Sequence, residues 1–178
     1  MAPRLLSLAW RVSRFRFWIY TGGTYVVGYA LGMNSWTAFF DPAYALFLVY
    51  FFLPANLFIY GVNDWWDQDT DRFNPKKDVK EYRISDADGR DLLLVIGLAA
   101  AVSLALIFAL DTVGQALLFL FLLLSYFYSA PPLRFKEVPV LDFSSNMLYV
   151  VPGILGYYLA GGALPPPALV IAGYLHIA

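Results

Sequence analysis

Between Asn63 and Asp71 the chain reads NDWWDQDTD, so that Asn63, Asp64, Asp67 and Asp71 fall in the spacing N-D-x-x-D-x-x-x-D. The segment follows about twenty near-continuous apolar residues. A carboxylate costs roughly 2.5–3.5 kcal/mol at the middle of a membrane helix and less near the interface, so such a cluster needs a purpose. On one helix running from Asn56 to Asp71, the residues Asn56, Tyr60, Asn63, Asp64, Asp67 and Asp71 share roughly a 100° arc, while Trp65, Trp66 and Asp69 point elsewhere. Asn74-Pro75 is expected to end that helix, because the residue before proline leaves the α region. A polar stripe on an apolar helix faces a bundle interior or a water-filled cavity. Three carboxylates on one face repel unless a cation sits among them. Hard oxygen donors suit Mg²⁺, which takes one or two carboxylates and leaves its other positions to water and substrate phosphates. Asn63, Asp64, Asp67 and Asp71 are therefore the candidate metal ligands, and the implied substrate is phosphorylated and membrane-soluble.

A second segment, YFYSAPPLRFKEVPVLDFSSN, sets Tyr126, Tyr128, Ser129, Arg134 and Lys136 around two prolines. Arginine offers a planar fork and lysine a point charge, a pairing suited to diphosphate oxygens. Other readings remain open on the residues alone. The aspartates could form a solvated charged loop, or a carboxylate proton relay in a transporter. An EF-hand loop fits Asp67, Asp69, Asp71 and Asp78, but Arg72 stands where its sharp turn wants glycine. Two cations at a membrane interface are also ordinary there.

The elements that must carry these residues follow from composition. Of 178 residues 60% are hydrophobic and 14% charged, against about 25% charged in a soluble domain. The expected fold is an all-α, polytopic helical membrane bundle forming a single domain over residues 1–178. Five stretches are long enough to span, near Phe17–Met33, Pro42–Val62, Leu92–Leu110, Gly114–Ala130 and Val140–Gly161. A sixth starts at Ala168 and reaches only Ala178, so the chain is expected to stop inside a helix. All twelve Lys and Arg then lie on one side, which the positive-inside rule makes cytoplasmic, in the plasma membrane. The net charge of −1 and the absence of cysteine point to no nucleic acid, no disulfide and no thiolate metal site. Asp41 and Asp111, on the opposite side, are expected to start helices, and His176 to pack in the core.

NDWWDQDTD resembles the first aspartate signature of the UbiA-type intramembrane prenyltransferases, and Tyr128 to Lys136 is similar to their second cytoplasmic signature. The likeness runs from SRFRFWIYTGGTYVVGYALG to YYLAGG, and within the family it is most similar to the lycopene elongase branch. It implies a nine-helix bundle with a second aspartate motif, whose place would lie beyond Ala178. It also implies Mg²⁺-dependent transfer of a prenyl group from a prenyl diphosphate, dimethylallyl diphosphate being the expected donor, to lycopene or to an aromatic or other lipid acceptor. On that reading Mg²⁺ is held by Asn63, Asp64, Asp67 and Asp71, with Asp67, Asp71 and Tyr128 the catalytic group. Arg134, Lys136 and Arg72 neutralise the leaving diphosphate. Tyr60, Tyr126 and Tyr128 offer aromatic faces to an allylic cation, each worth about 0.5–2 kcal/mol. Asn146, four residues after Asp142, faces the same cavity or serves as a structural cap.

Overall fold

The structure, a computed structural model, describes residues 2–71 and 82–177. Every regular element among them is helical. In hydrocarbon each backbone group must be satisfied within the protein, and a helix does so within one segment. In chain order the helices are α1 (Ala2–Val12), α2 (Thr24–Gly32), α3 (Pro42–Phe52), α4 (Pro54–Trp66), the single turn α5 (Gln68–Asp71), α6 (Gly89–Phe108), α7 (Thr112–Ser129), α8 (Pro139–Ser145), α9 (Met147–Gly161) and α10 (Pro167–Ile177). Three stretches are long and apolar enough to cross a membrane by themselves: Pro42–Trp66, Gly89–Phe108 and Thr112–Ser129.

The capping expectations hold. Asp41 and Asp111 accept the backbone N–H of Ala43 and Gly114 at 2.8 and 2.9 Å, at the starts of α3 and α7. Four helices expected to be continuous are interrupted, the second of them at Leu53, before Pro54. In the first stretch a π turn, Ile19–Gly23, precedes α2. There the Thr21 hydroxyl bonds the carbonyl of Phe51 at 2.7 Å, and Thr24 bonds that of Tyr20 at 2.9 Å. In the fifth, Ser144 and Ser145 donate to the carbonyls of Val140 and Asp142, and the chain breaks at Asn146 between α8 and α9. The helix drawn from Asn56 to Asp71 pauses at Asp67, with φ −104° and ψ 5°. The expected stop at Asn74-Pro75 lies outside the described residues.

Packing places α4 at the centre, with every residue from Ala55 to Val62 buried. Its neighbours supply an aromatic core that includes Tyr25, Tyr50, Phe51 and Phe121. Helices α2 and α9 meet along a seam of glycines: a Cβ on Gly28 would lie 1.9 Å from the Gly153 carbonyl oxygen, and one on Gly156 2.5 Å from that of Tyr25. Only the missing side chains allow such an approach. The arm α1 buries Leu8 and Val12 against Leu57, Val62 and Leu92. Arg4 ties it to the start of α6, 3.3 Å from Asp88 and 3.1 Å from Asp91, and Arg11 lies 4.9 Å over the Tyr82 ring. These contacts gather α1, the end of α4 and the start of α6 at one end of the bundle. At the other end Tyr158 donates to Asp111.

Candidate active site

The last turn of α4 delivers Asn63, Asp64 and Asp67 to the basic end of the bundle. Asp64 is 2% exposed and Asp67 8%, so both charges need partners. Arg14 answers Asp64, with Nη2 2.6 Å from Oδ1. Lys136 donates to Asp67 Oδ2, and Arg134 Nη2 stands 3.5 Å from Oδ1 of the same carboxylate. Asn63 joins the two pairs. Its amide NH₂ donates to Asp67 Oδ2 at 2.7 Å and to Ser129 Oγ at 2.8 Å, while its Oδ1 accepts from Arg14 at 3.4 Å. The Arg14 guanidinium also lies 4.7 Å over the ring of Tyr60.

Arg14 was not among the residues that the stripe on α4 pointed to. Its backbone is left-handed, φ 49° and ψ 61°, and Arg134 adopts nearly the same conformation, φ 39° and ψ 60°. These are the two non-glycine residues with positive φ among the described residues. Such a conformer costs of order 1–3 kcal/mol and persists where its surroundings over-determine it. Each arginine opens a 3₁₀ turn, Phe15–Phe17 and Phe135–Glu137. The sequences match as well: Arg14-Phe15-Arg16 and Arg134-Phe135-Lys136. That repetition was the available signal for Arg14.

A cavity of about 410 Å³ opens beside these groups, its wall including Arg14, Phe17, Tyr20, Tyr60, Asn63, Tyr128, Asn146 and Tyr149. Of the residues anticipated from the sequence, Tyr60, Asn63, Tyr128 and Asn146 thus share one wall. Tyr126 does not line it: the ring is 38% exposed and packs edge-on to Phe127. Asn56 is not a cavity residue either. It is fully buried, and its amide donates to Thr21 Oγ1 and to the carbonyls of Phe51 and Phe52 at 2.7–3.0 Å. The side chain of Asp71 and all of Arg72 lie outside the described residues. Tyr20 and Tyr149, 5.8 Å apart, had no signal beyond their aromatic type.

A second, larger cavity of about 640 Å³ runs between α2, α9 and α10, walled by Val27, Gly28, Val150, Gly153, Leu169 and Gly173 among others. It shares Tyr20 and Ile177 with the first. His176 faces this slot and is exposed, so the expectation of a core histidine is corrected. The last helix simply has no further layer over that face among the described residues.

The donor set bears on a metal. Among the described residues, no group of three His, Cys, Asp or Glu side chains is placed to hold an ion. Asp64, Asp67 and the Asn63 carbonyl nevertheless bring two carboxylates and a neutral oxygen to one helix end. Mg²⁺ asks for no more when phosphate oxygens complete its shell, so these residues fit it.

The sequence model of the UbiA prenyltransferase family matches residues 13–178. A lycopene elongase/hydratase of Haloarcula japonica is 44% identical over 174 residues, covering 96% of this chain and 58% of that protein. One from Halobacterium salinarum is 40% identical, over 92% of this chain and 59% of its own. The chain thus spans less than two thirds of these relatives. Among solved structures, a UbiA homolog from Archaeoglobus fulgidus bound to GPP and Mg²⁺ superposes with a TM-score of 0.73 at 28% identity, covering 92% of this chain and 57% of that one. The same homolog bound to DMAPP and Mg²⁺ gives 0.69 at 26% identity, covering 94% and 60%.

Proposed function

The chain belongs to the UbiA prenyltransferase family, an integral membrane family, and from that premise we propose that it serves Mg²⁺-dependent transfer of an allylic prenyl group from a prenyl diphosphate to a long apolar acceptor. The observation that carries the reading is the junction at Tyr20 and Ile177, where a charged cavity meets an apolar slot. A diphosphate with a short hydrocarbon tail suits the first, and a stiff hydrocarbon suits the second. The names of the relatives point to lycopene as acceptor, and the DMAPP-bound homolog to a C5 donor.

The residues take distinct parts. Asn63, Asp64 and Asp67, with Asp71 on the following turn, would hold Mg²⁺, which supplies charge neutralisation for the departing diphosphate. Arg134 and Lys136, which meet Asp67 from the turn after α7, would neutralise the leaving diphosphate, joined by Arg72. Tyr60 and Tyr128 present ring faces to the allylic cation, each worth about 0.5–2 kcal/mol. Asn146 lines the same cavity as Asn63. Apolar residues around the slot keep water from the cation until the acceptor attacks. The distribution of the twelve Lys and Arg supports placing this end at the cytoplasmic face, in the plasma membrane.

An aromatic acid acceptor would need a buried cation of its own, and among the described residues the slot wall includes no Lys or Arg. The test is expression of the full-length protein in cells that make lycopene, with C45 and C50 carotenoids as the expected products. Unchanged lycopene together with a prenylated quinone precursor would overturn the acceptor.

A further inference from the structure

Two turns of one build supply counter-charges to two of the motif aspartates, Asp64 and Asp67. Arg14-Phe15-Arg16 leads out of α1, and Arg134-Phe135-Lys136 follows α7, more than a hundred residues later. Each begins with a left-handed arginine and continues into a 3₁₀ turn. The first aims its guanidinium at Asp64, the second at Asp67, and Asn63 touches both sides of the arrangement.

We propose that the two arginine turns are exchange partners: Arg14 and Arg134 hold the motif aspartates until a diphosphate arrives, then pass to its oxygens and release the carboxylates to the metal. The proposal rests on the prenyl diphosphate reading above. A metal taking Asp64 Oδ1 would compete with Arg14, which stands 2.6 Å from that oxygen, while Mg²⁺ requires its ligands at about 2.0–2.1 Å. It would have to drive off a guanidinium whose side chain is only 12% exposed and leave that charge without its carboxylate, which is costly. Diphosphate removes the obstacle, because a phosphate accepts the arginine fork in two parallel hydrogen bonds. The exchange needs no backbone change in either turn, because an arginine head can turn about its own side-chain bonds. Tyr60 lies beneath the Arg14 head and gives it a face to move across. Asn63 couples the halves, since its carbonyl faces Arg14 and its NH₂ faces Asp67. Metal and diphosphate therefore bind together, and each is weak alone.

The experiment uses the full-length protein in nanodiscs, with Mn²⁺ and inorganic pyrophosphate as probes. Retained Mn²⁺ is counted after dialysis at a fixed free Mn²⁺ concentration, with and without pyrophosphate. In the wild type, pyrophosphate should tighten Mn²⁺ at least about tenfold, within the range of ordinary coupling between sites. In Arg14→Gln, Mn²⁺ alone should bind about tenfold tighter than in the wild type and the coupling should shrink to roughly twofold or less. Arg14→Lys, which keeps the charge, should restore weak binding of Mn²⁺ alone. Tight Mn²⁺ binding by the wild type without pyrophosphate overturns the proposal. So does an Arg14→Gln protein with weaker Mn²⁺ binding and unchanged coupling, which is what a purely structural ion pair would give. Should Arg14→Gln not fold, Arg134→Gln decides in its place: Mn²⁺ alone should bind it tighter than the wild type and the coupling should shrink, and unchanged coupling overturns the proposal. Cleavage of allylic diphosphates, assayed separately, tests the underlying reading: coupling without cleavage leaves the exchange standing and removes the prenyl transfer, and cleavage without coupling does the reverse.

Discussion

Gly28 and Gly97 both sit in helices, in α2 and α6, and the same added methyl should move stability in opposite directions. At Gly28 a Cβ would fall 1.9 Å from the backbone oxygen of Gly153, whereas ordinary contact starts at 3.4 Å. The two helices must part by about 1.5 Å, and gaps of even 0.5–1 Å forfeit a quarter to a half of each dispersion contact. Neither atom can rotate away, because the obstacle is backbone. Overpacking costs typically 1–3 kcal/mol, and with the lost seam contacts Gly28→Ala should cost about 3 kcal/mol. For a chain of this length that is a fall of about 6–12 °C in Tm. A Cβ at Gly97 meets nothing within 4 Å, and replacing a mid-helix glycine by alanine contributes roughly 0.5–1 kcal/mol, a rise of about 1–4 °C. Both variants are melted in one detergent beside the wild type, following intrinsic tryptophan fluorescence. If Gly28→Ala melts within about 1 °C of Gly97→Ala, the glycine seam does not hold α2 to α9 as described.

Three further outcomes are expected. Gly173 faces the apolar slot, and a Cβ added there would have Val150 as its nearest neighbour, at 3.8 Å, so Gly173→Leu should fill the slot and cut elongated carotenoid at least about tenfold while leaving pyrophosphate binding unchanged. Unaltered product from that variant would place the acceptor elsewhere. Burial acts to raise the Asp88 pKa, but hydrogen bonds from Ser85, Tyr82 and Arg4 win and hold it below its ordinary value of 3.8. The stability it contributes is therefore complete above that value and lost as pH falls through the depressed one. The Tm gap between wild type and Asp88→Asn should stay level down to about pH 5 and narrow below about pH 4; a gap that widens in acid would refute the sign. Ser129→Ala removes an acceptor from the Asn63 amide and should cost about 1 kcal/mol in stability, with a few-fold higher KM for the allylic donor and little change in kcat.

The sequence by itself settled the helical membrane class and the acidic end of α4, because both rest on local composition and spacing. Sixty per cent hydrophobic residues leave no soluble alternative, and a polar group every third or fourth position marks one helix face whatever packs on it. It went astray with Asn56, which shares that face but not the cavity. Pro54, two residues earlier, brings no N–H to the helix ladder, and the chain bends at Leu53, φ −115° and ψ −67°. That bend ends α3 at Phe52, and the Asn56 amide caps the carbonyls of Phe51 and Phe52. Angular position on a helix tells which way a side chain points, not what is waiting there.

What only the tertiary structure decided was which cation meets which aspartate. Six of the twelve basic residues lie between Arg72 and Arg90, close to the motif in sequence, yet nearness in sequence did not point to Arg14. Arg14 reaches Asp64 from 50 positions away, because α1 folds back over α4 and the chain turns left-handed at that residue. A positive φ at arginine is intrinsically unfavourable, so no local propensity announces it. It exists because the buried Asp64 carboxylate rewards the turn, and that reward appears only once the helices have packed.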